Sequence, residues 1–151
     1  MDVTVEPPFS EDVIALLEFH MAEMTRASPP GTCHFLDLEK LRAADVTFWT
    51  AREGGELLAC SAMQELTPDH GELKSMRAQP GHVRRGAGRA ILNAIETEAR
   101  RRGYRRLSLE TGNSEPFAAA LGLYAARGYT RCPPFGDYVE TDFNVFMTKA
   151  L

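Results

Sequence analysis

The densest chemistry in the sequence lies in one run, Gln79-Pro80-Gly81-His82-Val83-Arg84-Arg85-Gly86-Ala87-Gly88-Arg89. It leads straight into the most regular helical pattern of the chain, where Ala87, Ala90, Ile91, Ala94, Ile95 and Ala99 share one stripe. The first amides of a helix lack internal partners, and the helix dipole adds positive potential beside them. Gly86 and Gly88 have no side chain to hold an anion off the backbone. Arg84, Arg85 and Arg89 supply charge-assisted donors. The run reads as a phosphate-binding loop; the plainer alternative is that its glycines only shape a tight strand-to-helix turn.

Residue identities narrow the ligand. A dinucleotide fingerprint starting at Gly86 needs glycine or alanine where Ile91 stands, and a Walker loop needs Gly-Lys-Ser/Thr at the helix start, which is missing. Residues 80–92 instead resemble the pyrophosphate motif of the GNAT superfamily of acetyl-CoA-dependent N-acetyltransferases, Gln/Arg-x-x-Gly-x-Gly/Ala, whose end matches Gly86-Ala87-Gly88. Val83 occupies the place of the usual first Gln or Arg; the contact there runs largely through the backbone amide, and Arg84 can supply the charge. A second stretch, Ala120-Leu121-Gly122-Leu123-Tyr124-Ala125-Ala126-Arg127-Gly128-Tyr129, is similar to the family's Leu-Tyr-x-x-x-Gly-Phe segment. The resemblance covers residues 45–150 well and the N-terminal third by layout. Residues 107–112 and 132–138 further resemble stretches of a bacterial subgroup of generic N-acetyltransferases, and the second of them is expected to border the acceptor pocket.

The resemblance implies roles for particular residues. A strand over residues 72–78 should splay from its neighbour over 107–111, with the pantetheine arm of acetyl-CoA bonding backbone groups at Met76, Arg77 and Ala78. An N–H near Met76 would polarise the thioester carbonyl. Tyr124 stands where the family places the acid that protonates the departing thiolate; its plainer reading is a core aromatic. Glu72 aligns, counted back from Gly86, with the general base of the histone-acetylating branch, and its spacing of four from Met76 predicts the same face of a regular strand. A solvated strand-start residue is the alternative. Many relatives carry Asn where Phe117 stands, and Asn113 is a candidate substitute from the strand's end.

Other reactive residue types read more plainly. His20, His34, His70 and His82 show no metal-ligand spacing, so no metal is expected. Cys60 could form an acetyl-enzyme only as an activated thiolate, and direct attack by the amine in a ternary complex is the preferred route. The run Arg100-Arg101-Arg102 fits a helix C-terminus better than a nucleic-acid patch.

The elements that must position these residues follow from periodicity and turn chemistry. Residues 2–6 and 46–50 alternate as strands, and Glu53-Gly54-Gly55-Glu56 marks a hairpin into a strand over 57–66. Ser10 is the expected cap of a helix carrying Val13, Leu17, Met21 and Met24, which ends at Pro29-Pro30. Ser114 and Pro116 open a later helix bearing Phe117, Leu121 and Tyr124, and residues 129 onward and 144–148 supply the last strands.

The order predicts one mixed α/β (α+β) domain over residues 1–151, and the resemblance implies that its fold is of the GNAT type. About seven strands in a mostly antiparallel, twisted sheet, about four helices and a splayed central pair are expected. A formal charge of −4 argues against a general nucleic-acid footprint. No run is apolar enough for a membrane helix, and Cys33, Cys60 and Cys132 are odd in number and widely spaced, which favours a reducing cytoplasm. The resemblance implies acetyl transfer from acetyl-CoA to the amine of a small molecule or amino-acid-like acceptor, and no nucleic-acid or membrane partner is expected. The alternatives are a non-catalytic coenzyme A-binding module and acetylation of a protein N-terminus or lysine. The final strands of this fold often pair between subunits, so a homodimer is one expected arrangement.

Overall fold

The computed structural model describes residues 1–32, 34 and 37–151; Cys33 lies outside the described residues. The elements are β1 (Asp2–Val5), α1 (Glu11–Ala27), α2 (Leu38–Leu41), β2 (Val46–Glu53), β3 (Glu56–Thr67), β4 (His70–Ala78), α3 (Ala87–Arg101), β5 (Arg106–Gly112), α4 (Ala118–Ala126), β6 (Thr130–Arg131) and β7 (Asn144–Ala150). A 3₁₀ turn, Glu115–Phe117, precedes α4. The strands form one sheet in the order β1-β2-β3-β4-β5-β7-β6. Every pairing is antiparallel except β4 with β5.

Two apolar clusters hold helices on opposite faces. Ile91, Leu92, Ile95 and Ala99 of α3 pack with Trp49, Met63, Leu73 and Leu109, and Tyr124 of α4 joins them. Val13, Leu16 and Leu17 of α1 pack with Leu41, Phe48, Cys60 and Ala62. Full burial of Ile91, Leu92 and Ile95 contributes roughly 1.5–3 kcal/mol each, enough to fix which face of α3 meets the sheet. Arg101 and Arg102 both bond Glu98 one turn back, as helix-end residues do.

Ser10 takes the N-cap position of α1 as expected, but its side chain makes no capping bond. Its hydroxyl donates to the carboxylates of Asp12 (2.8 Å) and Glu6 (3.2 Å), and Asp12 accepts from the Val13 amide instead. Arg52 reaches both acids from β2, so charge-assisted bonds outcompete the neutral cap.

The central pair departs from regularity twice. Strands β4 and β5 pair only from His70↔Arg106 to Leu73↔Leu109, and then continue apart to Ala78 and Gly112. Within β4, the register against β3 shifts by one between Lys74↔Ala62 and Arg77↔Cys60, and Ser75 takes φ 57°. That is a bulge, with one extra residue on β4. The bulge overturns the expectation that Glu72 and Met76 share a face, because an added residue inverts the alternation beyond it. Glu72, Lys74 and Arg77 lie opposite Gln64, Ala62 and Cys60, on the α1 side, whereas Leu73, Met76 and Ala78 belong to the α3 side.

Candidate active site

Where β4 and β5 part, the sheet is perforated by a cavity of about 850 Å³. His20, Glu23 and Met24 of α1 line it from one face, and Gly88, Leu123 and Tyr124 from the other. The diverging strands form its sides through residues 72–78 and 109–111. Strand β5 has left the neighbouring edge of β4 by this point, so the backbone of residues 74–78 lacks a strand partner on that side. Such polar groups call for a ligand or water.

The floor is the start of α3. Val83, Arg84, Gly86, Ala87, Gly88 and Arg89 all line the cavity. Arg84 and Gly86 have φ of 64° and 82°, left-handed conformations of the kind that turn successive amides into a concave anion cradle. Gly88 is closely packed: a Cβ there would stand 3.1 Å from the Leu123 side chain, which would have to give slightly, and 4.0 Å from Met76. Arg85 departs from expectation: it is absent from the cavity wall, pairs with Glu53 at 2.9 Å and meets His82 at 2.7 Å. Its charge is used to tie the loop to the β2–β3 hairpin.

At the other end stands a polar cluster on the α1 side. The Glu72 side chain is only 5% exposed, which removes its reading as a solvated strand-start residue. It accepts from the Tyr138 hydroxyl at 2.5 Å and from Lys74 at 3.2 Å, while Lys74 also donates to Tyr138 at 2.9 Å. Burial, then the Glu72 charge, pushes the Tyr138 phenol well above its usual range, so it stays protonated as a donor. Across the gap on β5, Glu110 is bonded by Asn144 and faces His34 at 3.6 Å. Burial raises the Glu110 carboxyl, opposed by Asn144, His34 and Lys74. His34, Glu72 and Lys74 also line a second, open hollow of about 570 Å³, bordered by Gly136, Tyr138 and Val139.

Comparison with known proteins agrees with this layout. Residues 13–129 match the acetyltransferase (GNAT) family. This chain belongs to the GNAT family. It is 46% identical over 151 residues to the uncharacterized N-acetyltransferase YsnE of Bacillus subtilis, covering 100% of both chains. It is 34% identical over 147 residues to the IAA acetyltransferase of Azospirillum brasilense, covering 97% of this chain and 95% of that protein. A Klebsiella pneumoniae crystal structure provisionally named an acyl-CoA N-acyltransferase superposes with a TM-score of 0.84 at 30% identity, over 99% of this chain and 97% of that one. An aminoglycoside 6'-N-acetyltransferase complexed with coenzyme A shares the fold alone, with a TM-score of 0.76 at 13% identity over 99% and 97% of the two chains. The protein is thus an acyltransferase of the N-acetyltransferase type.

In this GNAT enzyme Tyr124 is 6% exposed and on the cavity wall. Its hydroxyl has no hydrogen-bond partner among the described residues. Burial pushes its ionisation above the usual range, and the Arg77 charge partly opposes this. Phe117 packs over Gly112 against Phe143, where a Cβ on Gly112 would collide with both rings. It still contributes to the cavity wall, as a ring rather than an amide. Asn113 is not brought to the wall: its amide donates to the Asp142 carbonyl. Cys60 is buried off the cavity with its thiol pushed up to about 12 by burial, a poor nucleophile.

Several residues of the cluster escaped sequence reasoning. Lys74 was within reach, since i and i+2 share a strand face. Glu110 and Tyr138 lie in stretches singled out only by resemblance, and their meeting depends on the register of β5 and the course of the 132–143 loop. His20 accepts from Arg77 at 3.0 Å, a contact 57 positions apart that no local pattern announces.

Proposed function

We propose that this GNAT enzyme transfers an acetyl group from acetyl-CoA to the amine of a small molecule or amino-acid-like acceptor, by direct attack in a ternary complex. The observation that carries the reading is the perforation of the sheet, one cavity lined by the start of α3, by Tyr124 and by the carboxylates Glu72 and Glu110. Coenzyme A has a diphosphate at one end and a thioester at the other, and the cavity offers complementary chemistry in that order. The amides of residues 86–88 with Arg84 and Arg89 take the diphosphate. The free edge of β4 at Met76, Arg77 and Ala78 pairs with the pantetheine amides, and an N–H near Met76 polarises the thioester carbonyl.

Glu72 accepts the proton of the attacking amine, directly or through water, with Tyr138 and Lys74 fixing its orientation. Tyr124 donates to the sulfur as the carbon–sulfur bond breaks. An ordinary tyrosine (pKa about 10) is uphill of a thiol (about 8.5) by about 2 kcal/mol, and burial of Tyr124 adds to that. Its hydroxyl therefore acts first as a hydrogen-bond donor to growing thiolate charge, and its proton follows late. The second hollow beside Glu72, bordered by Tyr138 and Val139, offers an acceptor a way to the cluster. Residues 1–151 are read as one N-acetyltransferase domain working in the cytoplasm, where Cys60 and Cys132 stay free thiols. No helix among the described residues is long and apolar enough to cross a membrane.

The test is thiol release from acetyl-CoA across amines, amino acids and peptides. Release that depends on small amines is expected. Saturable coenzyme A binding with no such release from any small amine would overturn the reading, and release with peptide N-termini alone would move the acceptor to proteins.

A further inference from the structure

Arg77 is a half-buried cation without a counter-charge among the described residues. The bulge at Ser75 turns it to the α1 face, where its Nε donates to His20 Nδ1 at 3.0 Å and its guanidinium stands 5.6 Å from the centre of the Phe19 ring. His20 brings no compensating charge: burial, then Arg77 itself, lowers it to about 3, so the ring is neutral. Among the described residues no carboxylate lies within ion-pair distance of Arg77. Glu23, the acid that acts on it most, is committed to Arg26 at 2.5 Å. Burial accordingly lowers the Arg77 ionisation. Its two Nη groups have no partner among the described residues, and the residue lines the cavity.

The donor substrate does not answer this charge. The pantetheine arm is uncharged, and the diphosphate is expected at α3 beside Arg84 and Arg89. With Nε occupied, the remaining fork of Arg77 presents two parallel N–H groups, which fit the two oxygens of a carboxylate. The guanidinium is close enough to Tyr124 to oppose the rise in that hydroxyl's ionisation, so an anion seated there would lie near the reacting end of the cavity.

We infer that the acceptor is an amino acid or a close analogue, whose carboxylate docks end-on against the Arg77 guanidinium and delivers the neighbouring amine to the thioester. The inference rests on the acetyl-transfer reading above and adds the acceptor's chemical class. It also gives the Arg77 side chain a positioning role separate from its backbone.

The test uses matched pairs of L-amino acids and their amides (leucine with leucinamide, phenylalanine with phenylalaninamide, and so through the series), with kcat/KM referred to the unprotonated amine. The wild-type enzyme is expected to prefer the acid of at least one pair by roughly tenfold to a hundredfold, the worth of hydrogen bonds to a charged group. Arg77→Gln should bring that ratio close to one, and Arg77→Lys should restore part of it, with KM for the acid rising more than kcat falls. The wild-type comparison needs no variant to fold. Amides serving as well as acids throughout would overturn this inference and leave acetyl transfer standing. Coenzyme A binding with no thiol release from either member of any pair, but release from simple amines, would also overturn it alone. No release from any small amine would overturn both readings.

Discussion

Leu73 and Leu109 are the last residues at which β4 and β5 face each other as paired strands. Both side chains are buried in the α3 core, so the point of divergence is clamped by packing. Beyond it the two backbones part around the cavity; Lys74 and Arg77 follow on β4 and Glu110 on β5, while Glu72 stands one residue before it.

Gly88 tests the anion cradle. A Cβ at this position needs Leu123 to give by a few tenths of an ångström and points toward Met76 at the cavity. Gly88→Val is expected to raise the Kd of coenzyme A at least tenfold by titration calorimetry while the protein stays folded. Unchanged affinity would mean that the cofactor sits elsewhere.

Tyr124→Phe removes only a hydroxyl from a buried ring. Turnover should fall roughly 10²-fold, with coenzyme A affinity within about twofold of the wild type. Equal losses in both would assign Tyr124 to packing instead of proton transfer.

Glu72→Gln keeps the shape of the cluster and removes its base. A loss of about 10²-fold in kcat is expected, with coenzyme A affinity little changed. Tyr138→Phe, which deletes one bond to Glu72, should cause a smaller loss in kcat. A Glu72→Gln enzyme with unaltered kcat would hand the base role to Glu110 or to water.

His20 should make the fold acid-sensitive. Its ionisation is depressed from 6.5 to about 3 by burial and by Arg77, so the unfolded chain binds a proton that the folded chain refuses. Stability contributed by the neutral ring is present above pH 6.5 and is lost as pH falls toward 3, by up to several kcal/mol. His20→Asn, which keeps an acceptor for Arg77, should flatten the decline of Tm with acidification over that interval. Parallel Tm curves for the two proteins would show that His20 is already protonated in the fold.

How much of this was legible in the sequence depended on range. The cradle at residues 83–89 was readable because its parts are consecutive: a glycine-bearing turn, arginines and an amphipathic helix announce one another locally. Tyr124 was readable because a second motif fixed its place on α4. The strand carrying Glu72 was readable too, but its parity was not, since nothing in Lys74-Ser75-Met76 signals a serine at positive φ. Arg85 and Asn113 looked like ligands in one dimension, and Glu53 and the Asp142 carbonyl claimed them in three. The pairing of Glu72 with Tyr138 joins residues 66 positions apart and follows only from the completed sheet.

The inserted residue at Ser75 has an evolutionary corollary. Because it swaps the sides on which successive side chains emerge, Arg77 joins Glu72 and Lys74 on one face while Leu73, Met76 and Ala78 pack on the other. On the proposed reading, drift in the acceptor-facing Arg77 side chain is thereby uncoupled from the backbone edge assigned to the acyl carrier, and one strand can retain that carrier while its clientele changes.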